Sequence, residues 1–116
     1  MKSVIWVGTS RKDLATFPLI ARQRAGYGLY EVQCGLEPAD WKSVASIGAG
    51  VCEIRVHVGR EFRVMYVARF DEGLYVLHAF EKKTQQTARA DVELTRSRLK
   101  EILRKRELRQ GSSGSK

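Results

Sequence analysis

The chain has 116 residues, the size of one ordinary domain, and its 21 Lys plus Arg against 13 Asp plus Glu give a formal charge of +8. That excess favours polyanions or acidic partners but specifies neither fold nor reaction. No run approaches the roughly 18 to 20 apolar residues of a membrane span, and the start Met1 to Trp6 is too short for a signal-peptide core. A soluble, cytoplasmic protein without membrane contact is therefore expected.

Val4 to Val7, bounded by Gly8, form a short apolar run that reads as a first strand. Ser10 with Asp13 three residues on resembles a capping box and predicts a short helix through Leu14 and Phe17. Pro18 interrupts it and suits the first turn of another helix. Ala21, Ala25, Gly28, Leu29, Val32 and Leu36 then fall on one helical stripe, which predicts a second helix to about Cys34, ended by Gly35. Gly26 and Gly28 weaken that helix, each by up to about 1 kcal/mol against Ala, yet permit close approach to a partner. Residues 36–50, with Pro38, Trp41, Gly48 and Gly50, read as a loop, in which Trp41 packs against the sheet edge or holds a partner.

Three strands are predicted next, Val51 to Val58, Phe62 to Phe70 and Leu74 to Phe80. The gaps Gly59-Arg60-Glu61 and Asp71-Glu72-Gly73 between them argue for an antiparallel meander. A last helix follows, with Thr87 as N-cap and Val92, Thr95, Leu99, Ile102 and Leu103 at helical spacing. The order is β-α-α-β-β-β-α, an α+β chain with one domain over 1–107 and a single core. Residues 108–116 end in Gly111-Ser112-Ser113-Gly114-Ser115-Lys116, a linker-like composition that predicts a disordered tail. Cys34 and Cys52 have no metal-ligand spacing, so reduced, partly buried thiols, no zinc and no cofactor are expected.

Alternation along the meander sends Cys52, Ile54, Val56 and Val58 to the core and Glu53, Arg55 and His57 to the other face. A turn centred on Gly59 sets Arg55 opposite Arg63, and one centred on Glu72 sets Arg63 opposite Glu81. Arg55, Arg63, Glu81 and, two residues on, Lys83 would then share a patch, with Lys82 at its rim. A slip of one residue in either turn would move a whole strand's set to the other side. Two opposed arginines repel unless an anion lies between them. One reading gives that anion as Glu53 and Glu81, in a surface ion-pair network; the other gives it as a phosphate, which guanidinium grips bidentately. His78 is expected to share a face with Val76 and Phe80, as a core residue or an acid–base group. His57 reads as a solvated strand residue and Tyr66 as a core residue or a base-stacking one. The Lys and Arg set from Arg96 to Arg109 reads as a solvated helix face or a phosphate contact.

The series Gly35 to Lys42, Gly50 to Arg55, Phe62 to Tyr66 and Val76 to Thr84 resembles the phage-derived HigB-like branch of the RelE/ParE toxin superfamily, from about Met1 to Glu107. The resemblance implies a RelE-like fold: a small, mostly antiparallel twisted sheet with N-terminal helices on one face, and a C-terminal helix. It also implies a ribosome-dependent mRNA endonuclease that needs no metal. Its partners would be mRNA on the ribosome, with rRNA contacts, and a cognate helix-turn-helix antitoxin in an oligomeric complex. By position, Arg55 and Arg63 correspond to residues on the scissile phosphate, and Lys82 and Lys83 to a basic pair after the last strand, either of which could shuttle a proton. Glu53 and Glu81 are the nearby carboxylates for a base, and Tyr66, His78, Arg89 and Arg96 complete the expected RNA-binding set. Cys52, and the run Thr84 to Thr87, depart from the pattern. Two other readings remain: a toxin-like module that acts by protein contact alone, as the gyrase-directed ParE branch does, and a general basic RNA-binding protein.

Overall fold

A computed structural model describes residues 1–114, the backbone alone for 111–114. In chain order the elements are β1 (Val4–Trp6), α1 (Ser10–Ala15), α2 (Leu19–Gln33), β2 (Trp41–Ser43), β3 (Val51–His57), β4 (Glu61–Phe70), β5 (Gly73–Lys82) and α3 (Arg89–Gly114). The strands form one sheet in the order β1-β5-β4-β3-β2. The sheet is mixed rather than a simple meander. β1 runs parallel to β5, with Trp6 beside Val76, while the other ladders are antiparallel. The expected loop contains β2, an edge strand that sets Trp41 opposite Ile54 and Lys42 opposite Glu53.

Local chemistry explains the helix ends. Gly35, at φ +80°, lets its own N–H reach the Val32 carbonyl (3.0 Å) and that of Leu36 reach Glu31 (2.8 Å), a Schellman closure of α2. Thr9 rather than Ser10 precedes α1; its carbonyl accepts from Asp13 N–H, and Ser10 Oγ accepts from Val7 N–H. Ala88 rather than Thr87 accepts the first bonds of α3, from Asp91 and Val92. That helix continues over residues 108–110, where a disordered tail was expected; for Ser115 and Lys116 the expectation lies outside the described residues.

Apolar packing occurs on both sides of the sheet instead of in one core. Ile54, Val56, Phe62, Val64, Tyr66, Leu74, Val76 and Ala79 pack with Leu14, Phe17, Ala21, Ala25 and Leu29 from the first two helices. A Cβ on Gly28 would lie 3.2 Å from the Ile54 side chain, so glycine there lets α2 lie close on β3; Gly26 has no such neighbour. On the other side Val51, Met65, Val67, Phe70, Tyr75, Leu77 and Phe80 pack with Ile47 and with Leu99 and Ile102 of α3.

Two irregularities decide which side chains reach that second face. The turn Asp71-Glu72 closes on a Phe70–Gly73 pair, and the ladder shifts once between Val67 and Phe70 and again between Met65 and Tyr66. The second shift leaves Leu77 as an extra residue on β5, a bulge. Leu77 joins the cluster beneath α3 and His78 lies opposite Met65, so Val76 and His78 no longer share a face. Among the described residues no helix is long and apolar enough to cross a membrane.

Candidate functional site

On the α3 side, β3 and β4 set Glu53 against Met65, Arg55 against Arg63 and His57 against Glu61. The Gly59 turn has the expected register, because Gly59 adopts φ +81° and Val58 N–H closes the loop on the Arg60 carbonyl. Across the next ladder Arg63 faces Phe80, not Glu81, and Glu61 faces Lys82. A register sum one lower than expected exchanges the two sets. Glu81 therefore leaves the patch for the opposite face, where Arg60 donates to both its carboxylate oxygens (2.9 and 2.7 Å) and holds its pKa below the usual range.

Arg63 lies at the centre of the patch and is 6 % exposed, beside Glu53 at 7 %. Its Nη1 donates to the Phe62 carbonyl (3.0 Å) and to Glu61 Oε1 (3.1 Å). Its Nε lies 3.6 Å from Glu53 Oε2, within Coulombic reach but beyond a hydrogen bond. Both of those atoms are buried without a hydrogen-bond partner, and so is His78 Nδ1. Buried charges and polar atoms are normally paired, because each unpaired group costs on the order of 1–3 kcal/mol or more. Three such atoms, on Glu53, Arg63 and His78, lie on this one face of the sheet.

Arg55 shares Arg63's row but is turned toward the sheet edge, where Nε donates to Asp40 Oδ1 at 3.1 Å. Asp40 and Glu61 hold the two ring nitrogens of His57, at 2.5 Å from Nε2 and 2.7 Å from Nδ1. The carboxylates, Glu61 foremost, raise the pKa of His57; the imidazole in turn lowers those of Asp40 and Glu61. His57, expected to be merely solvated, is thus the joint of an exposed charge network. His78 is 6 % exposed; its Nε2–H donates to Asp91 Oδ1 of α3 at 2.7 Å, and its ring stacks on Phe80 at 4.7 Å between centroids.

The remaining expected residues are dispersed. Lys82 ends β5 on the patch side and its Nζ donates to the Gln85 carbonyl, whereas Lys83 is exposed beyond the strand. Tyr66 is buried on the α1–α2 face, so it has no part in this patch; burial, with Cys52 beside it, raises its pKa. Arg96 donates to the carbonyls of Ile47 (3.1 Å) and Ser46 (3.2 Å), a tether for the loop before β3. Arg89 lies exposed on the first turn of α3, 3.4 Å from Glu93. Cys34 and Cys52 are free thiols; Cys52 is half-buried as expected, whereas Cys34, at the end of α2, is exposed.

Residues 12–100 match the family described as phage derived protein Gp49-like (DUF891). The chain belongs to this family. It is a phage-derived, RelE-like toxin family, so a toxin-like protein with an antitoxin partner is the general character it brings to this Gp49-like chain. Comparison with curated proteins gives no match. Asp40, Glu61 and Asp91 are the residues of this site that sequence reasoning missed. Glu61 is one residue outside the expected strand, whereas Asp40 and Asp91 reach their histidines from elements whose placement no local pattern specifies.

Proposed function

We propose that this Gp49-like chain is the toxin of a toxin–antitoxin pair of the HigB-like kind and acts as a ribosome-dependent mRNA endonuclease. The observation that carries the proposal is the buried Arg63, whose Nε stands unpaired opposite an unpaired Glu53 oxygen, with Arg55 across the strand. In the proposed reaction a ribose 2′-hydroxyl attacks the adjacent phosphorus in line and the 5′-oxygen leaves. Guanidinium groups stabilise the charge that gathers on the phosphoryl oxygens, and donors fixed beforehand in an enclosed site do this most effectively. Arg63 is assigned that role and Arg55 a second contact, made by exchanging Asp40 for phosphate. Lys82 and Lys83 supply cations at the rim. Orientation of the message is left to the ribosome, in keeping with so few reactive groups. The antitoxin would be a small helix-turn-helix protein.

The test is inducible expression followed by mapping of message ends within minutes. Cleavage inside translated codons is expected, reduced roughly 10²-fold or more by Arg63→Ala, the usual cost of one such donor. A second reading has its own observation. A groove of about 520 Å³ between α2 and β3, bordered by Tyr27, Gly28, Pro38, Ile54 and Val56, suits a protein ligand, and Arg55 and Arg63 already have carboxylates beside them. Growth arrest with intact messages and DNA-damage signalling would favour that contact-only, ParE-like reading.

A further inference from the structure

We infer that His78, oriented by Asp91, is the proton-accepting catalytic residue of this site; the inference rests on the ribonuclease reading above. Arg63 faces Phe80 across the β4–β5 ladder, and His78 stands two residues along β5. That makes His78 the diagonal neighbour of Arg63 on one sheet face, about 7 to 8 Å away by sheet geometry. One ribose and its phosphate fill such a span.

Asp91 does more than hold the ring. A carboxylate accepts only, so the ring nitrogen 2.7 Å from Asp91 Oδ1 must be the protonated one. In the neutral ring the Nε2–H tautomer leaves a lone pair on Nδ1, the nitrogen that is buried and has no partner. The other histidine is unsuited to the task, since carboxylates occupy both nitrogens of His57. Arginine does not give up its proton, and Glu53 stands against the Arg63 charge. Stacking on Phe80, at 4.7 Å between centroids, restrains the His78 ring. In the free chain Nδ1 is closed to solvent, as Arg63 Nε and Glu53 Oε2 are. Catalytic contacts commonly tighten only when the ligand is present.

In the step, His78 Nδ1 takes the proton of the 2′-hydroxyl as its oxygen bonds to phosphorus. The phosphorus–5′-oxygen bond breaks, the leaving oxygen takes a proton from water, and the imidazolium returns its proton to the resulting hydroxide. The products are a 2′,3′-cyclic phosphate and a 5′-hydroxyl. Asp91 of α3 is the charged group bonded to the ring; Arg63 of β4 and Glu53 of β3 stand on the same sheet face, one and two strands away. A depression of about 340 Å³ that His78 also borders lies on the opposite, α1 side of the sheet, among Asp13, Phe17, Arg60 and Glu81.

The experiment compares the full-length chain with Arg63→Ala, His78→Gln and Asp91→Asn on ribosomes programmed with a defined message, across pH, with thermal unfolding as the check on folding. His78→Gln should lose roughly 10²- to 10⁴-fold in rate, as general-base loss usually does, together with the acid limb of the pH profile. Asp91→Asn should lose less and displace that limb. ¹⁵N spectra of the wild-type imidazole should show Nε2–H with bare Nδ1, a preference that Asp91→Asn removes. No cleavage by the wild type would overturn the ribonuclease reading itself. Cleavage that Arg63→Ala abolishes but that folded His78→Gln or Asp91→Asn retains, with an unchanged pH profile, overturns the role of His78 alone. An Nδ1–H tautomer in the wild type does so as well.

Discussion

Beneath α1 and α2 the three long strands present Ile54, Val56, Phe62, Val64 and Val76, all buried and all apolar. On the reverse side the same strands are apolar toward one end of the sheet, with Val51, Met65, Val67 and Leu77, and carry Glu53, Arg55, His57, Glu61, Arg63 and His78 toward the other. Every buried side-chain atom without a hydrogen-bond partner among the described residues lies on that second side. One face provides the stability that the other spends on unpaired polar groups, the division expected where a fold must hold a reactive arrangement against its own preference.

The comparison is broken most directly by damaging the apolar face. Phe62, 2 % exposed, packs at a tilt against Phe17, 4.6 Å between centroids. Phe62→Ala should cost about 3–5 kcal/mol in a denaturant titration, because it leaves a cavity between β4 and the N-terminal helices. Cleavage by the fraction that remains folded should be unchanged. A cost within about 0.5 kcal/mol, the range of ordinary surface changes, would mean that this face is not the one that carries the fold.

The opposite result is expected on the charged face. Replacing both members of the Glu53–Arg63 pair, as Glu53→Leu with Arg63→Met, removes two desolvated charges and their unmade hydrogen bonds. Stability should stay level or rise by about 1–4 kcal/mol, the usual outcome for buried ion pairs exchanged for apolar side chains of similar volume. Cleavage should disappear. If this double variant instead unfolds more easily than the wild type, the pair is a structural staple and the division between the faces fails.

How much of this the sequence makes legible differs between the two hairpins. Between β3 and β4, Gly59 marks a short turn, and alternation on either side places Arg55 opposite Arg63 as the sequence predicts. Between β4 and β5 the turn is two residues, Asp71 and Glu72, and is not centred on Glu72; that removes Glu81 from the patch and brings in Phe80 and Lys82. The Leu77 bulge changes the face of His78 relative to Val76, and nothing in the alternation of Leu74 to Phe80 announces it. β1 beside β5 and β2 beside β3 are pairings made by three-residue segments, whose own periodicity is too short to read. Asp91 meets His78, and Asp40 meets His57, only because α3 and the segment before β2 return to the sheet. Contacts of that kind depend on tertiary packing and carry no spacing of their own.

The smallest effect is expected at the exposed end of the charged face, where Asp40, His57 and Glu61 form their network. Partners that raise the folded pKa of His57 stabilise the chain while the imidazole is charged. That contribution is full below the ordinary imidazole value of 6.5 and is lost as pH rises through the higher folded value. At the acid end it fades as Asp40 and Glu61, whose folded pKa values are lowered, take up protons. His57→Gln should therefore cost under about 1 kcal/mol for so exposed a side chain, with the gap from wild type widest between those limits and closing above them. Unfolding midpoints at several pH values measure it. A gap that does not vary with pH would mean that His57 contributes by packing alone, and that the charges at this end of the face are held by β2 and the strand pairing rather than by each other.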